Sequence, residues 1–219
     1  MATMQLADKT IVLDGAVDTV RYVQSRPRLL WVLREPNGGG PWDLREYFRD
    51  SLFKYSHWRM TAALMIRVSH GLLHGCLPWG TWAADARVIA DTLRDVAAIN
   101  INKRGGGSTV DWSRLHSASR EFSSIVGLQI SLLSPQVVIL AGTGTIVPPE
   151  FQRPCVSRPV GNNHVWLRDG VLFISAYHTN QRHISHQAYY EAIRRAVVQD
   201  AGSFVDSDNP TFFVNGPAS

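Results

Sequence analysis

Four polar segments carry the side chains able to do chemistry, and each follows a short apolar run. The first is Arg34-Glu35-Pro36-Asn37-Gly38-Gly39-Gly40-Pro41. The second is Asn100-Ile101-Asn102-Lys103-Arg104, followed by Gly105-Gly106-Gly107-Ser108. The third is Gly142-Thr143-Gly144-Thr145, and the fourth is Tyr177-His178-Thr179-Asn180-Gln181-Arg182-His183. Any one of them is an ordinary loop by itself. Together they supply a carboxylate, amides, a lysine, a histidine and free backbone N–H groups, enough to orient water, donate to an oxygen and cradle an anion.

The elements that must bring them together are legible around them. Leu29–Leu33, Val96–Ile101, Val137–Ala141 and Val171–Ala176 are apolar at consecutive positions, the pattern of parallel strands covered on both faces. Helical stripes lie between them: Leu44, Tyr47, Phe48 and Leu52; Met60, Ala63, Leu64 and Val68; Trp82, Ala86, Ile89 and Leu93. The longest stripe runs from Leu115 through Ala118, Phe122, Ile125, Val126 and Gln129 to Leu133, five turns at a 3.6-residue period. A last helix is expected to start on Ser185 as its cap and to run through Tyr189, Ile193 and Val197. Asn162–Gly170 adds an expected short strand and turn. Strands alternating with helices predict an α/β fold, a three-layer α/β/α sandwich with a central four-stranded parallel sheet. In such sheets ligands bind beyond the carboxyl ends of the strands, where all four polar segments would meet.

Composition narrows the classes. The chain has 219 residues, 45% hydrophobic and 18% charged, as expected for one globular domain over 1–219. A net charge of +4 and a pI near 9.3 suit an anionic partner. Cys76 and Cys155 are too few for a four-thiolate zinc site or an iron–sulfur cluster, and the lack of a cysteine framework favours a reducing compartment. With no basic-then-apolar leader and no apolar run near 18 residues, a cytoplasmic protein with no membrane contact is expected. No P-loop, complete dinucleotide fingerprint or G-x-S-x-G is present. His70 and His74 are spaced i, i+4 but lack the glutamate of H-E-x-x-H, so no metal site is expected there or at His178, His183 and His186. Trp31, Trp82, Trp112 and Trp166 are assigned to the core.

Leu33-Arg34-Glu35-Pro36-Asn37-Gly38 resembles the first motif of the uracil-DNA glycosylase superfamily, a strand ending in an acid or amide and then proline. Ala176-Tyr177-His178-Thr179-Asn180 resembles its last, a histidine followed by a polar turn and a helix. Ala98-Ile99-Asn100-Ile101-Asn102-Lys103 is similar to the second-strand segment of distant bacterial members. The resemblance covers Leu29 to Ala196 in order, with identity confined to these motifs. It departs at Glu35, where Asp or Asn is usual, and at Thr179-Asn180, where Pro-Ser is usual.

The resemblance implies a sheet in order 2-1-3-4 and a monofunctional DNA glycosylase that needs no cofactor, acts as a monomer and leaves an abasic site. Glu35 would orient water or stabilise the sugar cation, and His178 would donate to the departing base. Asn100 would read the base edge, and one of Trp42, Tyr47 and Phe48 would stack on it after base flipping. Lys103, Arg104, Arg182, Thr143 and the backbone of Gly105, Gly106, Gly107 and Ser108 would contact DNA. Gln181, Arg182 or His183 would fill the gap in the helix. The uracil-specific branch has a tyrosine after the first-motif proline; Asn37 stands there instead, followed by Gly38, Gly39 and Gly40. That opening suits a pyrimidine enlarged at C5, such as a glucosylated hydroxymethylcytosine of phage DNA, and thereby an antiviral role.

The plain alternatives are a solvated loop acid at Glu35, a structural histidine at 178, loop hydrogen bonding at Asn100 and a flexible glycine turn. At the level of function they are a modified-base reader that does not cleave, ordinary uracil excision, and a small-nucleotide hydrolase or sensor.

Overall fold

The computed structural model describes residues 11–38, 41–55, 62–107 and 109–200. Its strands are β1 (Gly15–Ala16), β2 (Leu29–Leu33), β3 (Ala97–Asn100), β4 (Val137–Ala141), β5 (Arg158–Val160), β6 (Asn163–Arg168) and β7 (Val171–Ala176). They form one seven-stranded sheet in the order β1-β3-β2-β4-β7-β6-β5. The sheet is therefore larger than the expected four strands and mixed in direction. β3, β2, β4 and β7 are adjacent and mutually parallel, while β1 pairs antiparallel at one edge and the β5-β6 hairpin continues antiparallel from β7 at the other. Two-residue β1 and Pro-containing β5 carry no periodic signal, which is why composition runs alone miss them.

Alternation along β2 builds both faces. Leu29 and Trp31 join one apolar cluster and Leu30 and Val32 the other, all fully buried. Full burial of each such side chain contributes about 1.5–3 kcal/mol. The first face is covered by α3 (Ala63–Leu73) and α6 (His186–Gln199); the second is covered by α4 (Trp112–Glu121) and α5 (Ser123–Leu133). Before these come α1 (Thr19–Gln24) and the one-turn α2 (Leu44–Glu46), which runs on as a π-turn over Tyr47–Ser51 and a 3-10 turn over Leu52–Lys54.

Two expected helices differ. The five-turn stripe is divided at Phe122, which leaves helical geometry at φ −95°, ψ 6° and caps α4 while its ring stays buried. The Trp82-to-Leu93 stripe holds only 3-10 turns, at Thr81–Ala83 and Ala90–Asp95. Ser185 caps α6, its hydroxyl accepting from the Ala188 N–H at 3.1 Å. No helix among the described residues is long and apolar enough to cross a membrane.

Candidate functional site

Register decides what stands beside what at the carboxyl edge. Leu33 pairs with Asn100, so two residues on, Glu35 lies level with Asn102. Val32 pairs with Leu140, so Arg34 lies level with Gly142. Past the end of β2 the chain bends at Arg34. Glu35 meets Asn102 of the β3 loop, and Arg34 meets Gly142 after β4.

Glu35 accepts a hydrogen bond from Asn102 Nδ2 at 3.1 Å, while Asn102 Oδ1 accepts from the Arg104 N–H at 3.0 Å. Asn102 is 1% exposed, so its amide is fixed from both ends. The first loop then pairs with the glycine loop: Gly106 N–H donates to the Pro36 carbonyl at 2.8 Å, and Gly38 N–H donates to the Gly106 carbonyl at 3.2 Å. A Cβ on Gly106 would sit 2.2 Å from Cδ of Glu35, so the glycine is what lets the carboxyl lie there.

On the other side, Arg34 Nε donates to the Gly142 carbonyl at 3.3 Å, and its guanidinium lies 4.7 Å from the centre of the Trp112 ring. Burial pulls the Arg34 pKa below the usual guanidinium range. His178 is held by its own turn: the Asn180 N–H donates to Nδ1 at 3.1 Å. An Nδ1 that accepts carries no proton, so the neutral ring presents Nε2–H. Burial, and then the nearby Arg34 charge, push the His178 pKa down to about 4. The turn is anchored from below by the buried Tyr189 of α6, whose hydroxyl donates to the Tyr177 carbonyl at 2.8 Å.

Both sides face one cavity of about 930 Å³. Among the sequence-predicted residues, Glu35, Asn37, Gly38, Trp42, Tyr47, Phe48, Asn100, Gly107, His178, Gln181 and His183 line it. Its aromatic wall is continuous, with Trp42 and Tyr55 each 5.8 Å from the Tyr47 ring and Phe48 at 5.6 Å. Asn100 is 1% exposed and held by Asp14, which accepts from its backbone N–H at 2.7 Å.

The expected DNA contacts are placed differently from one another. Lys103 does not face a phosphate: it is 4% exposed and pairs with Asp14 at 2.9 Å, and burial lowers its pKa. Thr143 is fully buried and donates to the Val32 carbonyl at 3.0 Å. Gly106 spends its N–H on Pro36. Arg104 is half-buried and grips Glu121 with two bonds of 2.7 Å. Gln181 cannot act as a wedge without dismantling its loop, since its amide bonds the N–H groups of His183 and Ile184 and the Ile184 carbonyl. Arg182 and His183 are exposed beside it. Gly105 is half-buried, its carbonyl accepting from Arg114 at 2.7 Å. Gly39, Gly40, Ser108 and Met60 lie outside the described residues.

Trp112 is 48% exposed rather than core. With Arg34 and Asn102 it belongs to the site but was absent from the expected set. The signal for Arg34 and Asn102 is their place in the polar segments that directly follow the apolar runs; Trp112 has none, because only tertiary packing brings α4 to the edge.

Among the described residues no group of three or more His, Cys, Asp or Glu side chains is placed to hold a metal ion. His70 and His74 stack on each other with ring centres 4.0 Å apart. Comparison with family models, with curated proteins and with solved structures finds no match for this chain.

Proposed function

We propose that the protein is a monofunctional DNA glycosylase that hydrolyses the N-glycosidic bond of a flipped-out pyrimidine and leaves an abasic site. The observation that carries this reading is a single cavity with a carboxylate on one side and, on the other, a neutral histidine presenting a fixed N–H donor. Breaking the C1′–N1 bond leaves positive charge on the sugar and sends the bonding electron pair into the base. Glu35 suits the first charge and orients the water that forms the new C1′–O bond, accepting its proton. His178 Nε2–H suits the second, donating to a base oxygen as its charge grows. Asn100 supplies an amide to the base edge, and the Trp42–Tyr47–Tyr55 wall offers a stacking face. The motif resemblance to the uracil-DNA glycosylase superfamily around Glu35, Asn100 and His178 supports the same assignment.

The substrate we infer is a pyrimidine enlarged at C5. The cavity is at the upper end of the roughly 300–1,000 Å³ of small-molecule sites. Asn37 is exposed at its rim with its backbone tied to Gly106, so no ring occupies the C5 side from that position. A cytoplasmic enzyme acting on glucosylated or hydroxymethylated cytosines would attack modified phage DNA and spare unmodified host DNA.

The test incubates plain, uracil-containing and C5-modified duplexes with the protein and then with alkali. Breaks that appear only after alkali, confined to modified DNA, are the expected result. Glu35→Gln and His178→Ala each lower the single-turnover rate by about 10²–10³-fold with DNA affinity retained. Tight binding without breaks would instead make the protein a reader of modified bases. Asn37→Tyr reduces release of bulky bases more than release of uracil; uracil as the best wild-type substrate would end the C5 assignment while leaving the glycosylase.

A further inference from the structure

The guanidinium of Arg34 is built into the cavity in a way that neither Glu35 nor His178 requires. One face lies on the Trp112 ring at 4.7 Å. Its other neighbour is the backbone of Gly142, where a Cβ would come within 2.6 Å of Nη2 and 2.9 Å of Nε. Gly142 has φ +69°, a conformation side chains disfavour, so the glycine both makes the turn and leaves room for the cation. Only Nε is spent, on the Gly142 carbonyl. Among the described residues no carboxylate forms an ion pair with Arg34, although nearly every other half-buried arginine has an acid or carbonyl against its terminal nitrogens. A planar cation held flat, half-buried and with its Nη donors unspent, in a cavity wall, is an anion receptor.

We propose that Arg34, clamped between Trp112 and Gly142, forms an oxyanion subsite on the β4 side of the cavity beside His178. The identity of the oxyanion rests on the glycosylase reading: it is the oxygen of the departing base anion or a phosphate oxygen next to the flipped nucleotide. The cavity is then polarised along the reaction, with Glu35 facing the β3 side where sugar cation would form and Arg34 with His178 facing the side where negative charge collects. Burial keeps His178 neutral first of all, and the same cation adds to it, since two positive charges side by side repel.

The first arm needs no activity. Intrinsic tryptophan fluorescence is followed while the wild-type protein is titrated with inorganic phosphate and, separately, with orotate, a pyrimidine bearing a carboxylate. Saturable change with at least one anion is expected, lost in Arg34→Met and weakened in Arg34→Lys, which keeps the charge but not the planar stack. Absence of saturation by both anions in wild type overturns the subsite even if base release is found. So does unchanged binding in a folded Arg34→Met, with circular dichroism as the check on folding.

The second arm separates the two oxyanions. If the subsite holds the departing base, Arg34→Met lowers the single-turnover rate by about 10²-fold with the salt dependence of DNA binding unchanged. If it holds a phosphate, the slope of log K against log salt falls by about 1 and the chemical step is spared. Anion binding in the first arm with no base release from any duplex would sink the glycosylase reading and leave the subsite standing.

Discussion

His178 shows how one backbone N–H sets a chemical role. Because Asn180 N–H donates to Nδ1, the ring proton is left on Nε2, and burial with Arg34 keeps the second proton off down to about pH 4. The histidine is thus a neutral donor at physiological pH, not an imidazolium acid. Activity is expected to be flat from pH 8 down to about 5 as far as His178 is concerned, and to fall as the ring protonates and breaks the Asn180 bond. The linkage runs the same way. The unfolded imidazole titrates near 6.5, so between pH 6.5 and about 4 the unfolded chain binds a proton that the folded one refuses. Stability contributed by the neutral ring is whole above pH 6.5 and is lost as pH falls through that window. Imidazole NMR that places the His178 midpoint above 6 would overturn both expectations; His178→Gln should flatten the fall in melting temperature between pH 6.5 and 4.

At the scale of elements, the strand ends carry the argument. Gly106 tests it because the three atoms nearest to an added Cβ all belong to the far end of the Glu35 side chain, at 2.2–2.6 Å. Gly106→Ala should cost no more than about 1–3 kcal/mol in urea unfolding, the penalty for leaving the buried Asn102 amide without its acceptor. It should nonetheless lower the single-turnover rate toward that of Glu35→Gln. Equal rates for Gly106→Ala and wild type would show that the carboxyl need not lie where Asn102 holds it.

Lys103 gives the opposite case. Its ammonium bonds both carboxylate oxygens of Asp14 at 2.9 and 3.0 Å, under Asn100. Lys103→Met strands a buried carboxylate and should cost about 3–5 kcal/mol in urea unfolding, with the salt slope of DNA binding unchanged.

These two residues also mark what a sequence shows. Asn-x-Asn-Lys-Arg at a strand end reads as polar and exposed, yet Asn100, Asn102 and Lys103 are all buried, because partners 86, 67 and 89 residues away in sequence meet them there. The apolar runs were legible because each is buried on both faces; the partner of a buried charge is written nowhere near it. Likewise the Trp82-to-Leu93 stripe has a helical period without an α-helix, since Ala86, Ala90 and Leu93 are buried from successive 3-10 turns and irregular backbone.

At the scale of the molecule, the net charge of +4 does not say which cations DNA would meet. Much of the positive charge is answered within the fold: Arg21 by Asp91 and Asp95, Arg45 by Asp43, Arg49 by Asp50, Lys103 by Asp14, Arg104 by Glu121, Arg158 by Asp200 and Arg194 by Glu191. A paired cation reaches a phosphate only by giving up its acid, so it releases few counterions on binding. Arg182 is different: it is exposed, forms no ion pair among the described residues, and lies on the turn that supplies His178. On the proposed reading, a duplex whose nucleotide enters the cavity would meet this turn with Arg182 and His183, because Gln181 is committed to its own loop.

DNA affinity should therefore fall with salt at about 0.9 logarithmic units per phosphate neutralised, with few phosphates counted. Arg182→Ala should reduce that slope by about 1 and weaken modified and plain duplexes alike, the mark of a phosphate contact rather than base reading. Arg158→Ala, at the outermost strand β5, removes the same formal charge and should leave the slope at the wild-type value. Equal slopes for the Arg182 and Arg158 variants would mean that net charge, and not the His178 turn, governs docking, and would move the DNA track away from this edge of the sheet.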